Sequence, residues 1–373
     1  MRIGRRELLR RFGSAAAASM LPPEVVRSVS SPVHASETVA RLDRNENAYG
    51  MSDKAKAAFS EALDCANRYP DEQVEKLRSA IAATHGIEAQ NITLGCGSTE
   101  LLRMAAESFL APTQNLVMAS PTFPSIAYAA KLLGAEVRNV PLTHEYAHDL
   151  RAMLAHSDNK TGLMYVCNPN NPTGSLTPKS DLDLFMPKVP AGASVVIDEA
   201  YHDYVTPTGA YVSWVSHAVT DPRLIVTRTF SKVYGLAGLR VGYAVSSKET
   251  AKRLSDRRLP GSVNAVAASA ALAALEDSTY VKKIAALNAN DRQEFFNQAN
   301  SRMLRGLDSQ TNFVLLRTFL TGNETSEVLR GKGVLVKANY PGFERYIRVS
   351  LGLPEEMHAF WSAWDALMPH HPM

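Results

Sequence analysis

The sequence predicts an α/β fold: a mostly parallel sheet domain with helices on both faces, plus a smaller α+β domain. Three observations carry that prediction. Between about residues 91 and 248, short apolar runs alternate with stretches of helical period. Polar, glycine-rich clusters follow the carboxyl ends of several of these runs, which is where ligands bind in such sheets. Beyond residue 248 the pattern changes to long helical stretches and a few short strands.

Taken in order, residues 91–95 read as a strand and 99–110 as a helix. Residues 116–119 form the next strand, and 125–133 a helix stopped by Gly134. The run 163–167 is a buried strand, and a helical stretch follows Pro178. Residues 194–197, 224–227 and 240–245 are further strands. A helical region spans 248–307 with one break at Pro260-Gly261. Strands at 313–316, 334–336 and 347–350, a helix at 324–329 and a last helix from Pro354 complete the chain. The expected division is a large domain at 61–250 and a small one built from 36–60 and 251–373, because the early segment is too short to form a domain alone.

Residues 1–35 read as a targeting segment. Arg5-Arg6, a weakly apolar stretch at 12–21 and small residues near Ala35 look like a twin-arginine export signal with cleavage near Ala35. That implies a periplasmic location, with the cytoplasm as the alternative. The full chain of 373 residues has net charge +3, from 40 basic and 37 acidic residues. Residues 1–35 hold six Arg and two acids, so their removal leaves 34 and 35, net −1. No basic footprint for nucleic acid remains, and no run approaches a membrane span. Cys65, Cys96 and Cys167 are three in number and widely spaced, which argues against a disulfide framework or metal knuckle.

The segment Thr229-Phe230-Ser231-Lys232-Val233-Tyr234-Gly235-Leu236-Ala237-Gly238-Leu239-Arg240 carries the strongest chemistry. A lysine at a strand end forms a Schiff base with an aldehyde when burial or a neighbouring cation lowers its pKa. Ser231 and Arg240 suit a phosphate dianion. Ser-Lys alone reads as a solvated surface pair. Three other segments change that reading. Gly95-Cys96-Gly97-Ser98-Thr99-Glu100 turns a strand into a helix and aims free N–H groups at one point, an anion site. Asn168-Pro169-Asn170-Asn171-Pro172-Thr173-Gly174 follows one buried strand, and Asp198-Glu199-Ala200-Tyr201 ends the next. Each alone reads as a turn or cap. In this order, each at a strand's carboxyl end, they are specific.

On these motifs the chain resembles the class I/II aminotransferases of pyridoxal-phosphate fold type I, and within them the histidinol-phosphate aminotransferases. Leu42-Asp43-Arg44-Asn45-Glu46-Asn47-Ala48-Tyr49-Gly50, Asn67-Arg68-Tyr69-Pro70-Asp71 and Arg348-Val349-Ser350 fit as well. The resemblance runs from about Leu42 to the last helix. It implies pyridoxal 5'-phosphate as cofactor, bound by Lys232 as a Schiff base, with Lys232 then moving the substrate proton. Asp198 would pair with the ring nitrogen and keep it protonated. Tyr201 and Asn171 would hydrogen-bond the ring O3′, and Phe123 would stack on the ring; otherwise Phe123 is a core aromatic. Ser98, Thr99, Ser231 and Arg240 would hold the phosphate, with Tyr69 reaching it from the second subunit of a homodimer. Arg348 would clamp a substrate anion, Tyr49 and Lys337 would line the substrate side, and Asn264 would support the site from behind.

The implied reaction moves an amino group from histidinol phosphate or an amino acid to a 2-oxo acid such as 2-oxoglutarate. Two departures bear on the donor. Thr99 stands where the subfamily usually has Asp, and Lys337 where it usually has Arg; a lysine binds phosphate as a point charge without the planar fork. A lyase or decarboxylase acting on a (phospho)amino acid would use the same electron sink. A non-catalytic effector module would need a DNA-binding domain that the sequence does not contain.

Overall fold

The computed structural model describes residues 39–367. The twin-arginine motif expected within residues 1–35 lies outside the described residues. The elements of the first part are β1 (Ala40–Arg41), α1 (Asp53–Ala62), α2 (Asp71–His85), β2 (Ile92–Gly95), α3 (Gly97–Phe109), β3 (Asn115–Ser120), α4 (Ser125–Leu132) and β4 (Glu136–Pro141). Then come α5 (Leu150–Ala155), β5 (Thr161–Cys167), α6 (Lys179–Phe185), β6 (Ser194–Asp198), α7 (Val215–Thr220), β7 (Leu224–Thr229) and β8 (Gly242–Val245). The remainder holds α8 (Lys248–Ser255), α9 (Ala265–Glu276), α10 (Ser278–Ser301), β9 (Phe313–Arg317), α11 (Gly322–Gly331), β10 (Val334–Leu335), β11 (Tyr346–Ser350) and α12 (Pro354–Asp365).

Side-chain alternation explains the central sheet. β5 is buried along its whole length. Leu163, Tyr165 and Cys167 enter one apolar layer with Met118, Val196 and Ile225. Met164 and Val166 enter the opposite layer with Val117, Ile197 and Val226. A strand covered on both faces has no polar side, so it reads as a continuous apolar run. The seven strands stand in the order β2-β8-β7-β6-β5-β3-β4. β3, β4, β5, β6 and β7 pair in parallel. β8 alone runs against its neighbours β2 and β7.

Several elements differ from the sequence expectation. β4 is an edge strand in which only Val140 is fully buried, so no apolar run marks it. The helical region after residue 248 has a second break at Asp277, whose carboxylate caps α10 by accepting from Tyr280 N at 3.4 Å. A single capping acid ends one helix and starts the next without any proline or glycine. α9 buries Ala265, Ala267, Ala268, Ala270, Ala271 and Ala274, and small side chains let α1 and α2 approach it closely.

The C-terminal strands form two small pairs. β9 and β11 are antiparallel, and β1 lies parallel to β10. Leu42 N donates to Leu335 O at 2.9 Å, and Ser350 N donates to Leu42 O at 2.8 Å. Leu42, Phe295, Phe360 and Trp364 anchor the core beneath them. Each such fully buried apolar side chain contributes about 1.5–3 kcal/mol.

Candidate active site

The carboxyl ends of β5, β6 and β7 open onto one cavity of about 260 Å³. Strand register sets Cys167 beside Asp198, and Asp198 beside Thr227. The three loops that follow these strands therefore begin at one level, with the start of α3 beside them.

An anion cradle forms where α3 begins. Ser98, Thr99, Ser231 and Arg240 all line the cavity. Arg240 has φ +61°, and its Nη1 donates to Ser231 Oγ at 3.2 Å and Ala237 O at 3.0 Å. Gly97 has φ +73°, and a Cβ there would sit 2.2 Å from Arg240 Nη2. A Cβ on Gly242 would sit 2.6 Å from Ser98 N. Two glycines thus allow a guanidinium and a helix N-terminus to converge, which is the arrangement a phosphate dianion favours.

Lys232 sits half-buried at the wall, with Nζ donating to Asn45 O at 2.8 Å. Burial, assisted by the positive charges of Arg348 and Arg240, holds its pKa down to about 7. A substantial share of the amine is thus neutral and nucleophilic near neutral pH. Its loop is fastened to the N-terminal segment: Gly235, at φ +72°, packs so close to Gly50 O that a Cβ would lie 2.0 Å away.

Asp198 is 2% exposed, and burial raises its carboxyl pKa to about 6. Tyr165 donates to its Oδ2 at 2.9 Å, whereas Oδ1 is buried without a partner among the described residues. Tyr201 is buried, and its Oη accepts from Asn45 Nδ2 at 3.0 Å. Desolvation raises the phenol pKa, so Tyr201 keeps its proton. Arg348 Nη1 donates to Asn171 Oδ1 at 2.7 Å and Nη2 to Asp43 O at 2.7 Å; Nε has no partner among the described residues. Phe123 lines the cavity and leans on the apolar layer behind β3. Asn170 orders that loop, accepting from Thr122 Oγ1 at 2.6 Å and donating to Pro121 O at 3.2 Å.

Ten of the expected residues therefore line one cavity: Ser98, Thr99, Phe123, Asn171, Asp198, Tyr201, Ser231, Lys232, Arg240 and Arg348. Four lie elsewhere within the chain. Tyr69 is 89% exposed on the surface. Tyr49 Oη donates to Asp291 Oδ2 at 2.9 Å. Lys337 is exposed and bridges Arg348 through the backbone. Asn264 caps α9, accepting from Ala267 N at 2.8 Å. Sequence reasoning passed over Asn45, Glu46, Thr229 and Cys167 as lining residues and Tyr165 as the partner of Asp198. The alternation along β5, which puts Tyr165 and Cys167 on one face, was the available signal for the last two.

A family model described as aminotransferase class I and II matches residues 37–361. Histidinol-phosphate aminotransferase 2 of Ralstonia nicotianae is 39% identical over 338 residues, covering 88% of this chain and 89% of its own length. Histidinol-phosphate aminotransferase of Moorella thermoacetica is 38% identical over 323 residues, covering 86% and 83%. The crystal structure of histidinol-phosphate aminotransferase from Sinorhizobium meliloti in complex with pyridoxal-5'-phosphate is similar, with TM-score 0.83 and 26% identity, over 96% of this chain and 98% of that one. These relatives correct the expectation of periplasmic export. The names they carry are those of histidinol-phosphate aminotransferases, and none of those names points to export. A basic, apolar start is a pattern shared by many unaddressed N-termini.

Proposed function

The chain belongs to the class I and II aminotransferases and is a pyridoxal-phosphate-dependent transaminase, and on that premise we propose the roles of its residues, its amino donor and its assembly. The residues present fit the cofactor. A buried carboxylate oxygen without a partner among the described residues, a cradle that a Cβ at Gly97 would fill, and a lysine with a depressed pKa meet at one cavity. That convergence carries the proposal.

When bound, the cofactor supplies an aldehyde that takes the amino group and a cationic ring that draws electrons from the substrate carbon. Lys232 would hold the cofactor through its aldehyde, with water leaving, and once the substrate amine displaces it the freed Nζ would move the proton at the substrate Cα. Its pKa near 7 suits both directions of transfer. Asp198, whose Oδ1 has no partner among the described residues, would hold the ring nitrogen and its proton. Tyr201 and Asn171 would hydrogen-bond the ring oxygen, and Phe123 would stack on the ring. Arg240, Ser231, Ser98 and Thr99 would hold the phosphate. Arg348, already oriented by Asn171 and Asp43, clamps the substrate anion.

We propose histidinol phosphate as amino donor and 2-oxoglutarate as acceptor. Relatives of that name at 38–39% identity support the donor. So does the bridge pairing Lys337 with Arg348, because directly opposite residues of an antiparallel pair project to the same face and two cations suit a dianion. Tyr49, although outside the lining of the cavity, is proposed to flank the substrate. The exposed Tyr69 is proposed to reach the phosphate site of a second copy, making a homodimer with shared sites. The proposed division remains 61–250 for the cofactor domain, with 36–60 and 251–373 forming the smaller one. Absorption spectroscopy tests the donor: L-histidinol phosphate bleaches the visible band of the holoenzyme and 2-oxoglutarate restores it. Bleaching by a plain amino acid alone overturns the donor, and turnover without any oxo acid favours the lyase.

A further inference from the structure

Asn45 is 1% exposed and holds a left-handed backbone, φ +55°. A non-glycine residue keeps such a conformation where its surroundings enforce it. Its N–H donates to Ser350 Oγ at 2.8 Å, and Ser350 Oγ donates to Asn45 Oδ1 at 3.1 Å. A hydroxyl has one proton. Having accepted from the Asn45 N–H, Ser350 gives that proton to Oδ1, which fixes the amide with Nδ2 toward Tyr201. Nδ2 then donates to Tyr201 Oη at 3.0 Å. The phenol oxygen is an acceptor on this side, so its own proton points elsewhere. No acceptor among the described residues takes that proton, and Tyr201 lines the cavity. The Asn45 carbonyl meanwhile accepts from Lys232 Nζ at 2.8 Å and from Asn312 Nδ2 at 3.1 Å.

We propose that Asn45 is a positioning residue whose amide turns the Tyr201 proton into the cofactor cavity while its carbonyl holds Lys232 Nζ beside it. The inference rests on the roles given above to Tyr201 and Lys232. The ionisable groups around Tyr201 are Lys232, 5.4 Å from the ring centroid, Arg348 of β11, Cys167 at the end of β5 and Asp198 at the end of β6. Asn45 reaches the phenol oxygen as a neutral donor, so it sets the direction of the phenol proton without adding charge.

The test is a pH titration of the visible band of the holoenzyme, with melting temperature measured in parallel. A donor to the ring oxygen stabilises the deprotonated form of the bound cofactor, so its loss raises the midpoint. Tyr201→Phe is expected to raise the midpoint by about one unit, a tenfold change in proton affinity. Asn45→Asp replaces the donor by an acceptor that draws the phenol proton back, and is expected to match it. Asn45→Gly tolerates φ +55° and keeps the carbonyl, and is expected to move the midpoint the same way. In the Tyr201→Phe background neither change adds a further shift. If Tyr201→Phe shifts the midpoint but both Asn45 variants titrate as wild type, only melting at lower temperature, the Asn45 role is overturned alone. Additive shifts in the double variants also overturn it, because the charge introduced by Asn45→Asp would then act without Tyr201. If Tyr201→Phe leaves the midpoint in place, the Tyr201 role falls and this inference falls with it.

Discussion

Tyr165 donates its hydroxyl to Asp198 Oδ2 at 2.9 Å, leaving Oδ1 as the free face of a buried carboxylate. The bond partly offsets the burial that lifts the Asp198 pKa to about 6. Tyr165→Phe is expected to destabilise the apoprotein by about 1–3 kcal/mol at pH 8, the cost of an unsatisfied buried acceptor. The sign of the pH dependence follows from the raised pKa. Asp198 contributes full stability below its ordinary value of 3.8 and loses it as pH rises through about 6. The defect in Tyr165→Phe should therefore shrink by pH 4. Urea denaturation at both pH values checks this.

Lys232 has the opposite linkage. Its pKa falls from 10.5 to about 7 on folding, so its contribution is complete above 10.5 and is lost as pH falls through 7. Capture of free pyridoxal phosphate by the apoprotein requires the neutral amine, and its rate should rise with a midpoint near pH 7. Lys232→Arg should bind the phosphate yet form no visible band. Stopped-flow absorption across pH 5–9 reads both.

Gly97→Ala places a methyl where Arg240 now lies, 2.2 Å from Nη2, at a backbone angle L residues resist. The guanidinium must move off the cradle. Loss of one charged hydrogen-bonding group costs about 1.5–3 kcal/mol, so cofactor affinity should fall about 10–100-fold. Quenching of tryptophan fluorescence on titration with pyridoxal phosphate measures it.

Glu199 and Arg228 form a buried ion pair, Nη2 to Oε2 at 2.8 Å. Glu199 Oε1 also accepts from Trp214 N at 2.7 Å. Glu199→Gln keeps shape and leaves the guanidinium uncompensated. Breaking one side of such a pair costs about 3–5 kcal/mol, and the melting temperature of the holoenzyme should fall accordingly while the visible spectrum is retained.

The buried strands were readable because both faces of β5 and β6 are apolar and their polar clusters begin at a common edge. Chemistry at strand ends follows the chain locally, so Lys232, Asp198, Tyr201 and Arg240 could be found one motif at a time. β4 escaped because an edge strand has no apolar run to show. Asn45 escaped for another reason: its partners Tyr201 and Ser350 lie 156 and 305 positions away, and no local pattern encodes a hydrogen bond across that distance. The break at Asp277 was hidden by an otherwise unbroken helical composition.

The pairing of β1 with β10, and of Leu42 with Ser350, also governs when the protein can finish itself. A ribosome releases residues 40–45 about 300 positions ahead of their partners. The central sheet can assemble while synthesis proceeds, since β3 through β7 pair with near neighbours. The segment that roofs Lys232 has to wait, unpaired, until residue 350 has emerged. Competence to hold the cofactor is thus acquired only once residue 350 is made, and a nascent chain stopped before it would carry its lysine uncovered.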